Sequence, residues 1–506
     1  MKKFKVIFLL SIMFLSLGSC ETVDFGDTNE NTNGPSEFDS AALLSAAQRR
    51  FVTIGFRDWL VNPHLYVQYQ AQPVYQDESR YAEGPTNWAA YYAGAGSVGG
   101  ALSALQQVIN LSNDPEVNTT PAYLSNGSAN NQLAVARIMK VVVYKRLTDT
   151  YGDIPYFEAL NPEIQSPAYT PQREIYNDFI KELTEARDML EPAGAGAAGD
   201  LFYDGDVESW GRFANSLLLT VTMQMSETED AGVAETAFNE ALTNEYGVIE
   251  TVDQEAWYQP INVSTLVNPW TAFRPADYNM SEYMQDALQG DEPDYSNVTF
   301  DHRLEIYSSD AQGDGLPYGL EDYTGIGSSV RISEYITSPT SPFPILTSAY
   351  TYLNRAEAAE RRWTSEDAAA MLETGIVQSY ASTSAYFGNG PHIADAGLDP
   401  IDITEFADNF ATKRLADAAS VGMMQVIAEE KWAALFPQGF LAWNEWRRTG
   451  FPILTPSPDP LNSGEIPTRY LYPTSEINLN NANYQTGVGG LSPAADKNTS
   501  KVWWDQ

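Results

Sequence analysis

Gln132-Leu133-Ala134-Val135-Ala136-Arg137-Ile138-Met139-Lys140-Val141-Val142-Val143-Tyr144-Lys145-Arg146-Leu147-Thr148-Asp149-Thr150-Tyr151 carries apolar side chains at Val135, Ile138, Met139, Val142, Val143 and Leu147. The steps are mostly three and four residues, the repeat of one face of an α-helix. Gly152 and Pro155 follow. A glycine accepts the left-handed turn after a helix, and a proline cannot continue one. Beyond this break, Thr170-Pro171 predicts a second helix start, with Thr170 as N-cap and Pro171 at the first helical position. Its apolar face is Ile175, Tyr176, Phe179, Ile180, Leu183 and Leu190.

The same pattern extends outward. After a Gly/Ala loop at 193–199, a third helix over 207–225 buries Trp210, Phe213, Ala214, Leu217 and Val221. Ser226 to Asp230 form a polar break before a shorter helix at 233–242. Further helices are predicted over 347–362, 365–379 and 415–435. The expected fold is mainly α, a scaffold of tetratricopeptide-like antiparallel helix pairs. The full tetratricopeptide consensus is absent, so this expectation rests on helix pairing. Residues 68–92 and 243–343 are instead rich in Tyr, Trp, Pro, Asn, Asp and Gly with weak periodicity, and the tail 455–506 is similar. Loops this long are functional or disordered, and their aromatic content argues for order. They are read as long irregular aromatic-rich insertions.

The N-terminus speaks to the compartment. Lys2, Lys3 and Lys5 precede an apolar run from Val6 to Leu17 broken only by Ser11 and Ser16. A spanning helix needs roughly 20 residues, so residues 1–19 read as a signal peptide. The run ends in Leu17-Gly18-Ser19-Cys20, which resembles a bacterial lipobox. Cys20 is the single cysteine, so no disulfide can form within the chain. A diacylated Cys20 gives stable membrane attachment. Residues 20–40 read as a lipidated flexible tether, and 41–506 as the folded domain. Glu21, Asp24 and Asp27 after the cysteine resemble the surface-export signal of Bacteroidetes lipoproteins.

The chain has 29 basic and 67 acidic residues among 506, a net charge of −38. A field of that sign repels nucleic acid, anionic lipid and anionic polymers, and tolerates neutral ligands.

Six segments, in order, carry a resemblance. They are Lys145-Arg146-Leu147-Thr148-Asp149-Thr150-Tyr151-Gly152-Asp153-Ile154-Pro155-Tyr156; Trp210-Gly211-Arg212-Phe213-Ala214-Asn215-Ser216-Leu217; Asp301-His302-Arg303-Leu304; Arg355-Ala356-Glu357-Ala358; Glu429-Glu430-Lys431-Trp432 through Trp443-Asn444-Glu445-Trp446-Arg447-Arg448-Thr449-Gly450-Phe451-Pro452; and Pro467-Thr468-Arg469-Tyr470-Leu471-Tyr472-Pro473. Together with the lipobox they resemble the SusD/RagB family, with His302 where that family usually has proline. The resemblance implies an outer-membrane lipoprotein facing the cell exterior that binds glycan and caps a SusC-like TonB-dependent transporter. Arg447 and Arg448 beside Glu445 are expected to brace helices, and Asn215 and Glu357 to satisfy buried backbone groups. Trp210, Trp432, Trp443 and Trp446 are expected in the core.

A neutral sugar offers an apolar face and a rim of hydroxyls, which aromatic rings and short polar side chains match. Two regions fit: Gln68, Gln72, Tyr75, Asp77, Arg80, Tyr81, Asn87 and Trp88; and Trp257, Tyr258, Asn268, Trp270, Arg274, Asp277, Tyr278 and Asn279. The family's loops early in the chain and mid-chain support both regions without fixing residues. Trp88→Ala or Trp270→Ala is expected to weaken glycan binding with little change in melting temperature. A β-glucan such as laminarin is one neutral candidate.

No enzyme, cofactor or metal is expected. His64, His302 and His392 lie far apart, and no Gly-x-Ser-x-Gly elbow or P-loop is present. Gly94-Ala95-Gly96-Ser97-Val98-Gly99 matches a dinucleotide fingerprint, but no strand-like run precedes it. Acidic loops at Asp291-Glu292-Pro293-Asp294 and Asp204-Gly205-Asp206 lack an EF-hand pattern. The alternatives are a surface glycoside hydrolase and a peptide-binding or structural surface lipoprotein.

Overall fold

The computed structural model describes residues 39–505, apart from 54–56, 85, 94–98, 264–266 and 273–276 and the side chains of 57, 58 and 272. The signal segment, Cys20, most of the tether, most of the Gly94–Gly99 stretch and Arg274 lie outside the described residues.

Helices α1 (Ser40–Thr53), α2 (Ala101–Asn113), α3 (Ala129–Tyr151), α4 (Gln172–Asp188), α5 (Val207–Gln224) and α6 (Ala231–Leu242) each pack on the next. After α7 (Glu282–Gln289), helix α8 (Ser348–Glu360) rejoins the array against α5. The array continues through α9 (Ala368–Ser382), α10 (Ala407–Val421), α11 (Met423–Leu435) and α12 (Gly439–Thr449), and α13 (Asn481–Gly489) lies in the tail. The fold is mainly α, built from tetratricopeptide-like helix pairs with long irregular loops.

Helix α3 shows why the array holds. Ser128 Oγ accepts from Asn131 N at 3.2 Å and caps the start. Gly152, at φ 89°, ends it. Packed against both α2 and α4, it buries residues on every side, including Ile138, Val142, Tyr144 and Leu147.

Local expectations are corrected in several places. Thr170 does not cap α4. It lies in strand β3 (Tyr169–Thr170), paired with β2 (Ile154–Pro155), and the first helical N–H, from Gln172, donates to Asp153 Oδ1 at 2.8 Å. A tertiary acceptor replaces the local cap. The helix expected over 415–435 is two helices, separated at Gly422, whose φ of 105° is open to glycine. Helix α2 carries Leu102, Leu105 and Val108 at helical spacing, a pattern the sequence reading passed over, whereas the short α13 has almost no such pattern.

The family-like motifs form buried ionic networks. Arg448, Lys431 and Arg361 all donate to Glu357, and Arg448 and Lys431 also reach Glu445. Glu357 therefore holds cations rather than backbone groups. Asn215 does meet backbone, donating to Gly247 O at 2.8 Å. Arg303 bridges Asp301 and Glu430, and Arg414 bridges Glu429 and Glu430, with all five side chains sealed from solvent. Trp210, Trp432 and Trp443 are buried, as expected of core residues, and Trp446 is partly buried.

Among the described residues, three two-stranded antiparallel ladders pin the loops. Besides β2–β3, they are β4 (Ala256–Tyr258) with β6 (Phe343–Leu346), and β1 (Gln70–Ala71) with β5 (Asn279–Met280).

Candidate functional site

The β1–β5 ladder joins the two aromatic-rich regions, pairing Gln70 with Met280 and Ala71 with Asn279. Ser281 N–H donates to Tyr69 O at 3.2 Å, and its hydroxyl donates to Gln68 O. Asn279 Nδ2 donates to Ser329 O at 2.8 Å and to Val330 O at 3.1 Å. Both regions are thereby fixed on one scaffold.

Most of the aromatic rings expected to form a platform are inside that scaffold. Trp88 is 5% exposed, edge-on to Tyr151 at 5.0 Å and Tyr472 at 6.0 Å. Trp257 is 7% exposed, stacks on Tyr386 at 3.9 Å and donates from Nε1 to Glu255 Oε2 at 2.8 Å. Trp270 is 3% exposed and meets the His64 ring at 4.9 Å. Tyr81, Tyr258 and Tyr278 are buried as well. These rings anchor long loops to the helices and present no open face to a sugar. The polar partners behave alike. Gln72 is buried, donating to Glu78 Oε2 at 2.6 Å and accepting from Ser79 N at 3.1 Å. Asn268 Nδ2 donates to the carbonyls of Ile336 and Ser341. Asn87 Oδ1 accepts from Ala89 N at 2.8 Å, just ahead of a short helical turn. Asp277 is partly exposed.

What remains at the surface centres on Tyr75, which is 60% exposed. Its φ is 59°, and Gln68 and Tyr81 in the same segment are also left-handed, at 56° and 70°. Non-glycine residues at such φ cost about 1 kcal/mol each and persist where surrounding contacts impose them. Arg80 ties this segment to its surroundings. Its Nε–H donates to Asp459 O at 2.7 Å, and its other nitrogens lie 3.6 Å from Asp77 Oδ1 and 3.6 Å from Glu321 Oε1. Gln76 Nε2 donates to Glu321 O at 2.8 Å, and Glu321 N donates to Asp459 Oδ2 at 2.9 Å. Leu461 N donates to Arg80 O at 2.6 Å. Three loops, around 72–81, 317–323 and 457–461, thus converge on one guanidinium. Tyr323 is fixed in the second loop by its hydroxyl, which donates to Pro317 O at 3.0 Å.

The surface so formed has an exposed phenol ring, exposed aliphatic carbons at Val74 and Leu461, and a rim of acceptors from Asp77, Glu321, Asp322 and Asp459. Such a rim accepts hydrogen bonds from hydroxyl and amide groups and repels anions. Sequence reasoning singled out Tyr75, Asp77 and Arg80 but missed Glu321, Tyr323, Asp459 and Leu461. Their stretches were noted as irregular; no local pattern reveals that Arg80 gathers them.

Two carboxyls strongly altered by their surroundings lie elsewhere. Burial pushes Glu255 up to about 7, against donors from Ser348, Ser382 and Trp257. Burial likewise raises Asp153 to about 6. Asp206 caps α5 through Ser209 N at 2.7 Å. Among the described residues, no group of three or more His, Cys, Asp or Glu side chains is placed to hold a metal ion. Among them, too, no helix is long and apolar enough to cross a membrane.

No curated protein sequence matches the chain. Solved structures do. A chitin-binding protein is 26% identical, with a TM-score of 0.76 over 92% of this chain and 100% of its own. A chitin-binding SusD homologue from Flavobacterium johnsoniae is 22% identical, with a TM-score of 0.68 over 92% of this chain and 98% of its own. A SusD homologue from Bacteroides thetaiotaomicron is 22% identical, with a TM-score of 0.69 over 93% and 99%. The SusD-like_2 family model, described as starch-binding associating with outer membrane, matches residues 32–473. With that match spanning most of the sequence, and the helix-pair scaffold shared with SusD homologues, the chain belongs to the SusD-like family.

Proposed function

We propose that the chain is a lipid-anchored cell-surface protein that captures neutral oligosaccharides, chitin oligosaccharides foremost, and delivers them to a SusC-like TonB-dependent transporter without cleaving them. The observation that carries this reading is the Tyr75 surface: an exposed ring with an acceptor-rich rim, held by three loops around Arg80. The ring suits the C–H face of a pyranose, and the rim suits hydroxyl and N-acetyl N–H donors. The acidic rim and the net charge of −38 disfavour anionic polymers. Chitin is favoured over laminarin because the 26% identical neighbour is named a chitin-binding protein.

A binding role rather than hydrolysis is favoured by where the altered carboxyls lie. Glycoside hydrolysis uses two carboxyls flanking the bond, one of them kept protonated. Glu255 and Asp153, two of the groups raised toward neutrality by burial, serve core hydrogen bonds, and Asp286 is raised to about 6 by burial and then by the like charges of Glu282, Glu292, Asp291 and Asp314 around it. Cys20 supplies the anchor.

Native affinity electrophoresis in gels containing glycol chitin, laminarin or alginate tests the reading. Retardation by a neutral polymer, with no sugar released on prolonged incubation, is the expected result. Retardation by none, or release of oligosaccharides, overturns it. Cys20→Ser is expected to free the protein from the outer-membrane fraction, and its retention there would remove the proposed anchor.

A further inference from the structure

Among the described residues, one other aromatic ring, away from the Tyr75 surface, stands as far out of the fold. Phe157 is 60% exposed. It follows β2, where the chain leaves α3, and among the described residues its one ring neighbour is Tyr156, edge-on at 4.9 Å. Tyr156 is itself fixed, its hydroxyl donating to Asp178 Oδ2 at 2.8 Å. Leu160, three residues on, is held at φ 67°, so the loop is bent rather than extended.

Phe157 lines two depressions. One, of about 530 Å³, lies among α2, α3, α4 and the loop, with Gln106, Asn110, Lys140 and Glu182 on its walls. The other, of about 470 Å³, includes Asn177 and Lys181 of α4. Volumes of this order are those of sites for ligands of a few sugar rings. The walls alternate donors and acceptors. Lys140 Nζ donates to Gln106 Oε1 at 2.8 Å, and Gln106 Nε2 donates to Asn110 Oδ1 at 2.8 Å. Arg137 is engaged by Glu182 and Glu185, so the charges of this wall are largely compensated. The rest of the chain is strongly acidic. A protruding ring over a roomy, charge-balanced, amide-bearing hollow matches a pyranose face and its hydroxyl rim. It does not match a hydrophobic helix, which needs a continuous apolar groove.

We propose that the Phe157 hollow is a second saccharide-binding site, taking one to three residues of a neutral glycan. The proposal rests on the glycan-binding reading above. Two weak contacts on one body raise the apparent affinity for a long polymer well beyond that for a short oligomer, because the second contact forms at high effective concentration.

The test uses the full mature chain with Phe157→Ala, Asn110→Trp, Tyr75→Ala and Tyr75→Ala/Phe157→Ala, with glycol chitin and laminarin in the gel and chitohexaose in solution. Asn110 is exposed, so tryptophan there fills the hollow without touching the core. Phe157→Ala and Asn110→Trp are expected to cut polymer retardation by about threefold or more at unchanged melting temperature. The double variant is expected to lose the retardation that either single variant keeps. Wild-type retardation in both Phe157→Ala and Asn110→Trp, with the double variant no worse than Tyr75→Ala, overturns the second site and leaves the first standing. A wild-type chain retarded by no polymer overturns the glycan-binding reading and this site with it.

Discussion

Arg448 grips Glu357 across 91 residues of sequence with two parallel hydrogen bonds, 2.5 Å from Nη1 to Oε1 and 2.7 Å from Nη2 to Oε2. The pair joins α12 to α8, and both side chains are sealed from solvent. Burial pushes the Glu357 carboxyl up, but Arg448 and Lys431 together hold it well below the usual carboxylate range. Planar guanidinium and carboxylate match in geometry, which lysine at position 448 could not reproduce.

Removing one partner of such a pair strands the other charge in a low-dielectric interior. Arg448→Met is therefore expected to destabilise the fold by about 3–5 kcal/mol. Urea unfolding of wild type and variant measures this, and a loss below about 1 kcal/mol would show that Lys431 and Arg361 compensate fully.

His64 gives the fold an acid-sensitive point. Burial lowers its imidazole to about 3, only partly offset by the hydrogen bond to Pro437 O at 2.7 Å. The ring packs against Tyr69, Trp270 and Phe436, and a Cβ at Gly439 would lie 2.2 Å from its Cδ2. In the unfolded chain the same group titrates near 6.5. The unfolded state thus binds the proton first. This contribution to stability is present above pH 6.5 and is lost as pH falls toward about 3, with a slope of up to about 1.4 kcal/mol per pH unit. His64→Gln is expected to be less stable at neutral pH but to show a shallower decline between pH 6 and 4. An identical pH slope in the variant would assign the acid sensitivity to other groups.

Trp88→Ala and Trp270→Ala separate anchoring from binding. Both rings are buried, so truncation is expected to cost about 3–5 kcal/mol and lower the melting temperature clearly. That reverses what the sequence suggested for them. Unchanged melting temperature with lost glycan binding would return these rings to the binding surface.

The helical scaffold was legible because periodicity is local. Ile138, Met139, Val142 and Leu147 announce α3 without knowledge of any neighbour, and all are buried in it. The motif around Trp443 and Arg448 pointed to helix bracing, and the ionic network with Glu357 is that bracing. Thr170 misled because its cap-like position was taken up by a strand pair, while Asp153, 19 residues upstream, reached the helix start instead. The candidate site was harder still. A tryptophan in a polar loop reads the same whether it faces a ligand or its own scaffold. Trp88 is set inward by the cluster of Tyr151, Tyr169 and Tyr472, contributed by distant segments. Tyr323 and Asp459 are brought beside the Tyr75 segment by Arg80 and Gln76, long-range relations that leave no periodic trace.

The most direct measurement is isothermal titration of chitohexaose into the mature wild-type chain and its Tyr75→Ala variant, with melting temperature recorded for both. Tyr75 is exposed, so its loss leaves the core intact. Binding by the wild type, weakened about tenfold or more in the variant at unchanged melting temperature, is the predicted result, as removal of a central ring contact costs more than about 1 kcal/mol. Equal affinity in the two proteins would contradict the assignment of the binding surface to the three loops gathered by Arg80.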